Sequence, residues 1–220
     1  MFTTPVKDPR VSEDNANTSF RGRAIEILAR GEYFHVAEEQ IKGRSKLFDD
    51  MINRQTREPI TLDHDPDIVQ LYVNLMNDNI IPVIDSASSG TSEEFHKLMH
   101  LLLLTEKLND VMARNITTAG IVAFLQTNPD NAFIYSTTIR RIYDCTNAGN
   151  ICREIVIHVV REFGSSSWYG TCAFSLGSVP AAFFQDLSIA FMELRDHETS
   201  HTLRTCPLNY YYTEAEGNQK

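Results

Sequence analysis

The stretch "EYFHVAEEQIKGRSKLFDDMIN", from Glu32 to Asn53, decides the fold because its hydrophobic period changes from two residues to a helical spacing. Phe34 and Val36 alternate with polar residues, as in a half-buried strand. Apolar residues then recur at helical spacing, at Ile41, Leu47, Phe48, Met51 and Ile52. Gly43 interrupts this pattern and Ser45 is well suited to cap a new helix. We therefore predict a strand followed by two short helices.

The residues before this stretch predict a partner strand. Ile25 and Ile27 alternate with polar residues and are followed by Arg30 and Gly31. Glycine can adopt the positive φ angle that a tight turn between two strands requires. A β-hairpin over residues 24–36 is therefore expected.

The residues after this stretch predict a short strand and then a helix. The strand is "PITL", which ends at Leu62. Asp65 followed by Pro66 marks a helix start, because aspartate suits the N-cap and proline suits the first helical position. The apolar stripe of this helix is formed by Ile68, Leu71, Tyr72, Leu75 and Met76.

Five further helices are predicted downstream. Thr91 and Glu94 form a capping box before an apolar helix, and Asp110 opens the next helix, which ends before Pro129. Two more helical patterns run through about 134–143 and 151–163. Pro180 begins a last helix, whose apolar residues are Phe183, Phe184, Leu187, Phe191 and Leu194. Strands followed by many helices place the chain in the α+β class.

The composition limits the classes of function. With 220 residues and 42% hydrophobic composition, the chain can bury a sizeable core. Its net charge of −9, without a run of basic residues, disfavours nucleic acid as a direct partner. The longest apolar run, Leu98 to Leu104, is far shorter than the roughly 20 residues of a membrane span. We expect a soluble protein of the cytoplasm or nucleus, with reduced thiols at Cys145, Cys152, Cys172 and Cys206.

Several of these residues stand in an order typical of a known family. They are Phe34, Arg44 to Phe48, Leu62, Asp65 to Asp67, Leu71 and Tyr72, and the later stretch "LLLLTEKLNDVMARNITTAGIVAFL". Over Phe20 to Asn128 this order resembles the BTB/POZ domain, a helical cluster flanked by a short β-sheet. The remainder is similar to the helical extension of fungal proteins with a single BTB domain.

The predicted organisation has four segments. Residues 1–19 are polar and aperiodic and are expected to form a disordered leader. A BTB/POZ-like domain is predicted at 20–128, a helical extension packed on it at 129–205, and a flexible polar tail at 206–220.

The resemblance implies a non-enzymatic protein-interaction module that binds another copy of the chain or a scaffold such as a cullin. Met51, Ile52 and Asn53 lie where a family partner groove would be, although Met51 and Ile52 could equally belong to the core. Cullin-binding members often have glutamate where Asn53 stands, and many dimeric members have an acid where Ala24 stands. These two positions therefore support neither the adaptor role nor the homodimer. No cofactor is expected.

Trp168 is a second candidate for partner binding. It is the only tryptophan and lies in the predicted loop "GSSSWYGTCAFSLGS". An aromatic side chain in a loop exposes a large area at low cost in conformational entropy. The alternative is that it folds back onto the helices.

A zinc metallohydrolase is the rival hypothesis, because His197, Glu198 and His201 have the HExxH spacing of zinc peptidases. Such a site needs a third ligand downstream and a cleft around the metal. The acids after His201 are Glu214 and Glu216, in a polar tail without apolar residues to fix it. Surface histidines are therefore the favoured interpretation, with a structural or adventitious metal as the intermediate one.

Overall fold

A computed structural model of the protein describes residues 9–12, 24–54, 58–84, 90–165, 168 and 178–196. They form an α+β fold, as predicted. The strands are β1 (Arg10–Ser12), β2 (Ala24–Ala29), β3 (Glu32–Ala37), β4 (Ile60–Leu62) and β5 (Ile81–Ile84). The helices are α1 (Glu38–Ile41), α2 (Lys46–Arg54), α3 (Pro66–Asp78), α4 (Ser92–Leu108), α5 (Val111–Thr127), α6 (Ser136–Cys145), α7 (Ile151–Phe163) and α8 (Ala181–Asp196).

The predicted hairpin is confirmed. Strands β2 and β3 pair antiparallel, with Ala24 opposite Ala37. The turn has φ angles of 45° at Arg30 and 95° at Gly31, and a two-residue hairpin turn that matches the strand twist requires two positive φ values. Along β2 every second residue is buried, so one face of the hairpin covers the core.

Strand β4 completes the main sheet. It pairs parallel to β2, with Ile27 opposite Ile60, in the order β3-β2-β4. Ile60 and Leu62 are buried while Thr61 is exposed, so β4 continues the same inner face. The two predicted short helices are confirmed as α1 and α2, which are separated by Gly43 with a φ of 77°.

The prediction of a disordered leader is wrong for Arg10–Ser12. These residues form β1, which pairs parallel with β5, and the backbone N–H of Ile81 donates to the carbonyl of Pro9 at 3.0 Å. Main-chain hydrogen bonds order this segment, and they do not depend on an apolar period in its sequence. A polar composition therefore could not exclude a strand here.

The helix starts are confirmed, but the side chains of Asp65 and Glu94 act differently from the predictions. Asp65 makes no cap bond to α3, and its carboxylate instead accepts a hydrogen bond from the guanidinium of Arg30. At α4, the backbone N–H of Glu94 donates to Thr91 Oγ1 at 3.4 Å. The Glu94 carboxylate accepts from the N–H of Gly90 at 2.9 Å, one residue before the position that a capping box would use.

The described residues divide into two compact units. The first unit comprises 9–12, 24–54, 58–84 and 100–120, and the second comprises 90–99, 121–165, 168 and 178–196. In the first unit the rings of Phe48 and Tyr72 stack with centroids 6.3 Å apart. In the second unit Phe95 and Phe124 lie 5.2 Å apart. The division passes through α4 and α5, whereas the sequence predicted a boundary after Asn128.

Candidate functional site

The residues predicted to contact a partner in the first unit lie at the end of α2. Met51 and Ile52 are partly exposed and Asn53 is exposed, whereas Phe48, one turn earlier, is fully buried. The end of α2 therefore leaves the core at this point. Met51 and Ile52 retain accessible apolar surface.

Trp168 belongs to the second unit and is only partly exposed. Its ring packs edge-to-face on Phe133, with centroids 5.0 Å apart. Phe133 packs in the same way on Tyr135, and Tyr135 on His96, each at 5.1 Å. His96 Nδ1 lies 3.1 Å from the hydroxyl of Thr138. Trp168 therefore packs on the ring of Phe133, which lies between helices α5 and α6.

Asp110 is the centre of a buried polar network in the first unit. Its Oδ2 accepts hydrogen bonds from Arg44 Nε and from the hydroxyl of Tyr72, both at 3.0 Å. Its Oδ1 caps α5 by accepting from the backbone N–H of Ala113 at 2.9 Å. Burial, followed by the proximity of Asp110, raises the pKa of Tyr72 well above its usual value. The hydroxyl of Tyr72 therefore remains a hydrogen-bond donor.

Ser45 extends this network. Its hydroxyl donates to the carbonyl of Leu108 at 2.5 Å and accepts from the N–H of Leu47 at 3.2 Å, as the predicted helix cap. Arg44 Nη1 also donates to the carbonyl of Met76 at 3.2 Å. Three separated pieces of sequence that carry the family resemblance thus meet inside the first unit. The network is structural, because Asp110 and Ser45 are both buried.

The last helix has an exposed apolar side. Phe184, Phe191 and Met192, called the α8 row below, are between 39% and 49% exposed. The adjacent side of α8 is buried through Phe183, Leu187 and Ala190. Large apolar side chains grouped on one side of a helix mark a contact surface more often than scattered ones do.

A cleft of about 250 Å³ lies between α7 and α8, called the α7–α8 cleft below. From α7 and the turn before it, the lining residues are Gly149, Arg153, Glu154, Ile157, His158 and Arg161. From α8, they are Asp186, Ile189, Ala190 and Glu193. The cleft therefore combines five charged side chains with three apolar ones.

Both arginines of the cleft are bound to protein acceptors. Arg153 donates to the carbonyl of Tyr143 at 3.0 Å, to Thr146 Oγ1 at 3.1 Å and to the Thr146 carbonyl, and so caps the end of α6. Its guanidinium also lies 4.3 Å from the centre of the Tyr143 ring. Arg161 Nη2 lies 3.3 Å from a carboxylate oxygen of Glu162.

Tyr143 connects α6 to the carboxylate side of the cleft. Its hydroxyl donates to Asp186 Oδ2 at 2.8 Å, and its ring packs edge-to-face on Phe183 with centroids 5.8 Å apart. Burial, with the bond to Asp186, raises the pKa of Tyr143 above its usual range. Asp186 is therefore held by a neutral donor.

Burial also shifts the pKa values of two residues on α7. It raises the pKa of Glu154, and it lowers the pKa of His158 to about 4, with a smaller contribution from Arg161. His158 is therefore neutral near pH 7. Its spacing of four residues from Glu154 places both side chains on one face of the helix.

No protein-family model, no curated protein and no solved structure matches the chain.

The residues of the HExxH pattern, 197–201, lie outside the described residues. Among the residues that are described, no three His, Cys, Asp or Glu side chains are grouped to hold a metal ion. No helix in the described part of the chain has both the length and the apolar composition of a membrane span.

The sequence predictions did not identify the α7–α8 cleft. The sequence does contain a signal for the α7 side of the cleft. Three polar residues, Glu154, His158 and Arg161, recur at helical spacing within and beside the apolar stretch "IVIHVV". Polar residues on one face of a buried helix indicate a surface that does not join the core. The α8 side of the cleft has no comparable signal.

Proposed function

We propose that the chain is a non-enzymatic protein-interaction module whose α8 row contacts a partner protein. The observation that carries this proposal is the exposure of Phe184, Phe191 and Met192 on one side of a helix whose other side is buried. Exposed apolar surface costs free energy in water, and burial against a partner recovers it at roughly 25 cal/mol per Å².

The partner that fits the α8 row is a different protein with an apolar groove. Phe184 and Phe191 are seven positions apart, which is one of the spacings between the anchor residues of a helix that lies in such a groove. The row extends only about 12 Å along the helix axis. Three half-exposed side chains supply far less than the roughly 800 Å² per partner of a stable protein–protein interface, so the α8 row would be one part of a larger contact.

The first unit supplies a second apolar contact in this proposal. Met51 and Ile52 are partly exposed at the end of α2, where the BTB/POZ resemblance suggests a partner groove. The meeting of Arg44, Tyr72 and Asp110 in one network supports the resemblance, because residues that recur in an order often do so for a shared structural reason. A cullin adaptor role still lacks the glutamate that Asn53 replaces.

Matched variants of the full chain test the α8 row. Phe191→Asp should weaken partner binding, while Gln185→Asp, an equally charged change at another exposed position of α8, should retain it. Circular dichroism should show that both variants keep the wild-type helix content. Proteins captured from native extract by the wild type would be identified by mass spectrometry, purified and titrated against each variant.

The expected result is a dissociation constant at least tenfold higher for Phe191→Asp and unchanged for Gln185→Asp. Equal binding by both variants would refute the contact through α8. Ile52→Asp, measured in parallel, shows whether the end of α2 contributes. Light scattering distinguishes a second copy from a different protein as the occupant.

A further inference from the structure

The α7–α8 cleft contains negative charge that the protein does not balance. Arg153 is bound to the carbonyls at the end of α6, and Arg161 lies next to Glu162. Asp186 accepts a hydrogen bond from the neutral hydroxyl of Tyr143. The cations of the cleft are thus already engaged, whereas its carboxylates have room for a further partner.

Among these carboxylates, that of Glu154 most clearly lacks a partner within the described residues. It is partly buried, and it makes no hydrogen bond or ion pair with the described residues. Burial is the only cause of its raised pKa, so no nearby cation offsets the cost of desolvating its charge. Glu193 lies across the cleft on α8, is exposed, and likewise has no ion pair within the described part of the chain.

The walls beside these carboxylates are apolar. Ile157 on α7 and Ile189 and Ala190 on α8 line the same space. Its volume of about 250 Å³ lies just below the roughly 300–1,000 Å³ of typical ligand sites, so it suits a small group or a single side chain. A ligand with a methylene stem and a charged head would place the stem on these walls.

We propose that the α7–α8 cleft binds a primary ammonium or guanidinium group, with Glu154 as its counter-ion and Glu193 at the mouth of the cleft. Ile157 and Ile189 hold the aliphatic part of the ligand. His158 also lines the cleft and is uncharged near neutral pH, so it does not repel the bound cation. The site is distinct from the α8 row and does not rest on the proposed contact there.

Other ligand classes fit this cleft less well. An anion would be repelled by Glu154, Asp186 and Glu193, while Arg153 and Arg161 already contact protein acceptors and His158 is neutral. For a metal ion held mainly by protein ligands, the described residues contain no group of three or more His, Cys, Asp or Glu side chains. An ammonium or guanidinium group needs only one carboxylate and a few acceptors.

The experiment titrates the full chain with n-butylammonium chloride, observed by saturation-transfer NMR. The matched probes n-butanol and sodium butyrate carry the same alkyl group with no charge and with the opposite charge. The wild type should bind butylammonium at least tenfold more tightly than either control. Glu154→Gln should weaken butylammonium binding at least tenfold, and Glu193→Gln less so, because Glu193 is exposed.

Two control variants make the result specific. Asp144→Asn removes an exposed carboxylate outside the cleft and should leave butylammonium binding unchanged. Phe191→Asp should also leave it unchanged, so failure of the α8 contact and failure of the cleft are separable. Equal binding of butylammonium and butanol, or unchanged binding by Glu154→Gln, would overturn the proposal.

The same titration distinguishes the two sources of such a group. A lysine-containing peptide that binds at least tenfold more tightly than butylammonium assigns the cleft to a side chain of a partner protein. Equal affinity assigns it to a small free amine. Lowering the pH should weaken binding of either, because Glu154 protonates and His158 gains charge. The other charged groups that line the cleft are Arg153 and Arg161 on α7 and Asp186 and Glu193 on α8.

Discussion

Asp110 accepts hydrogen bonds from donors in three different parts of the first unit. Arg44 precedes α2, Tyr72 lies within α3, and the N–H of Ala113 belongs to the first turn of α5. Asp110 is completely buried, and the side chain of Arg44 is only 10% exposed. A buried ion pair repays its desolvation cost only when its remaining hydrogen-bonding capacity is used. The hydroxyl of Tyr72 and the backbone N–H of Ala113 use the remaining hydrogen-bonding capacity of Asp110.

Removing this carboxylate should destabilise the protein strongly. Asp110→Ala leaves the Arg44 guanidinium buried without its counter-charge, so we expect a loss of about 3–5 kcal/mol in the free energy of unfolding. Urea denaturation followed by circular dichroism measures this change. Asp65→Ala is the control, because the Arg30–Asp65 pair is about half exposed and should contribute less than about 1 kcal/mol. Equal losses in the two variants would contradict a central role for the network.

At this scale the sequence predicts a residue's local bonds and not its distant ones. The capping role of Asp110 could be predicted because an N-cap contacts its own helix within three residues. Its ion pair joins residues 66 positions apart, and no local pattern specifies such a pair. For Asp65 the local prediction itself fails. The pattern assigned its carboxylate to a helix cap, but the carboxylate accepts a hydrogen bond from Arg30 in the hairpin turn instead.

Helix α8 has one buried side and one exposed side within the apolar face that the sequence predicted. Phe183 is fully buried, with its ring centroid 5.8 Å from that of Tyr143, while Phe184, the next residue, is 39% exposed. Successive residues of a helix point about 100° apart. An apolar stripe that includes both phenylalanines is therefore wider than the side of α8 that the core covers.

Truncating one phenylalanine on each side should separate core from surface. Phe183→Ala removes a buried ring and leaves a cavity, so it should cost about 3–5 kcal/mol of stability. Phe191→Ala should change stability by no more than about 0.5 kcal/mol, because the ring it removes is exposed. Thermal unfolding of both variants measures the difference. A large loss in Phe191→Ala would mean that another part of the chain covers the α8 row.

The elements themselves could be predicted where their signals are local. Glycine at the hairpin turn, proline at the start of α3 and the period of the helices specified most of them. Strand β1 has no such signal, because its partner β5 lies about 70 residues further along the chain and the pairing is made by the backbone. The α7–α8 cleft is equally non-local on its α8 side. The hydrophobic period of a helix indicates which of its faces is buried, but it does not specify the helix against which that face packs.

At the scale of the whole molecule, charge affects stability through net repulsion as well as through individual ion pairs. The chain carries a net charge of −9 at pH 7, which favours solubility but opposes compaction through self-repulsion. Within the described residues three ion pairs are well buried, namely Arg44–Asp110, Arg114–Glu106 and Arg161–Glu162, with no side chain above 13% exposed. Salt screens repulsion between exposed charges and leaves such buried pairs largely intact.

Moderate salt should therefore stabilise the protein. Raising NaCl from about 20 to about 200 mM shortens the Debye length to less than 10 Å, so it should raise the thermal midpoint at pH 7. The control is the same titration near pH 5.2, the isoelectric point, where the net charge is close to zero and the increase should largely disappear. A midpoint that falls with salt at pH 7 would show that exposed attractions, such as those of Arg30 with Asp63 and Asp65, outweigh the net repulsion. An equal increase at both pH values would indicate a salt effect on apolar burial instead of on charge.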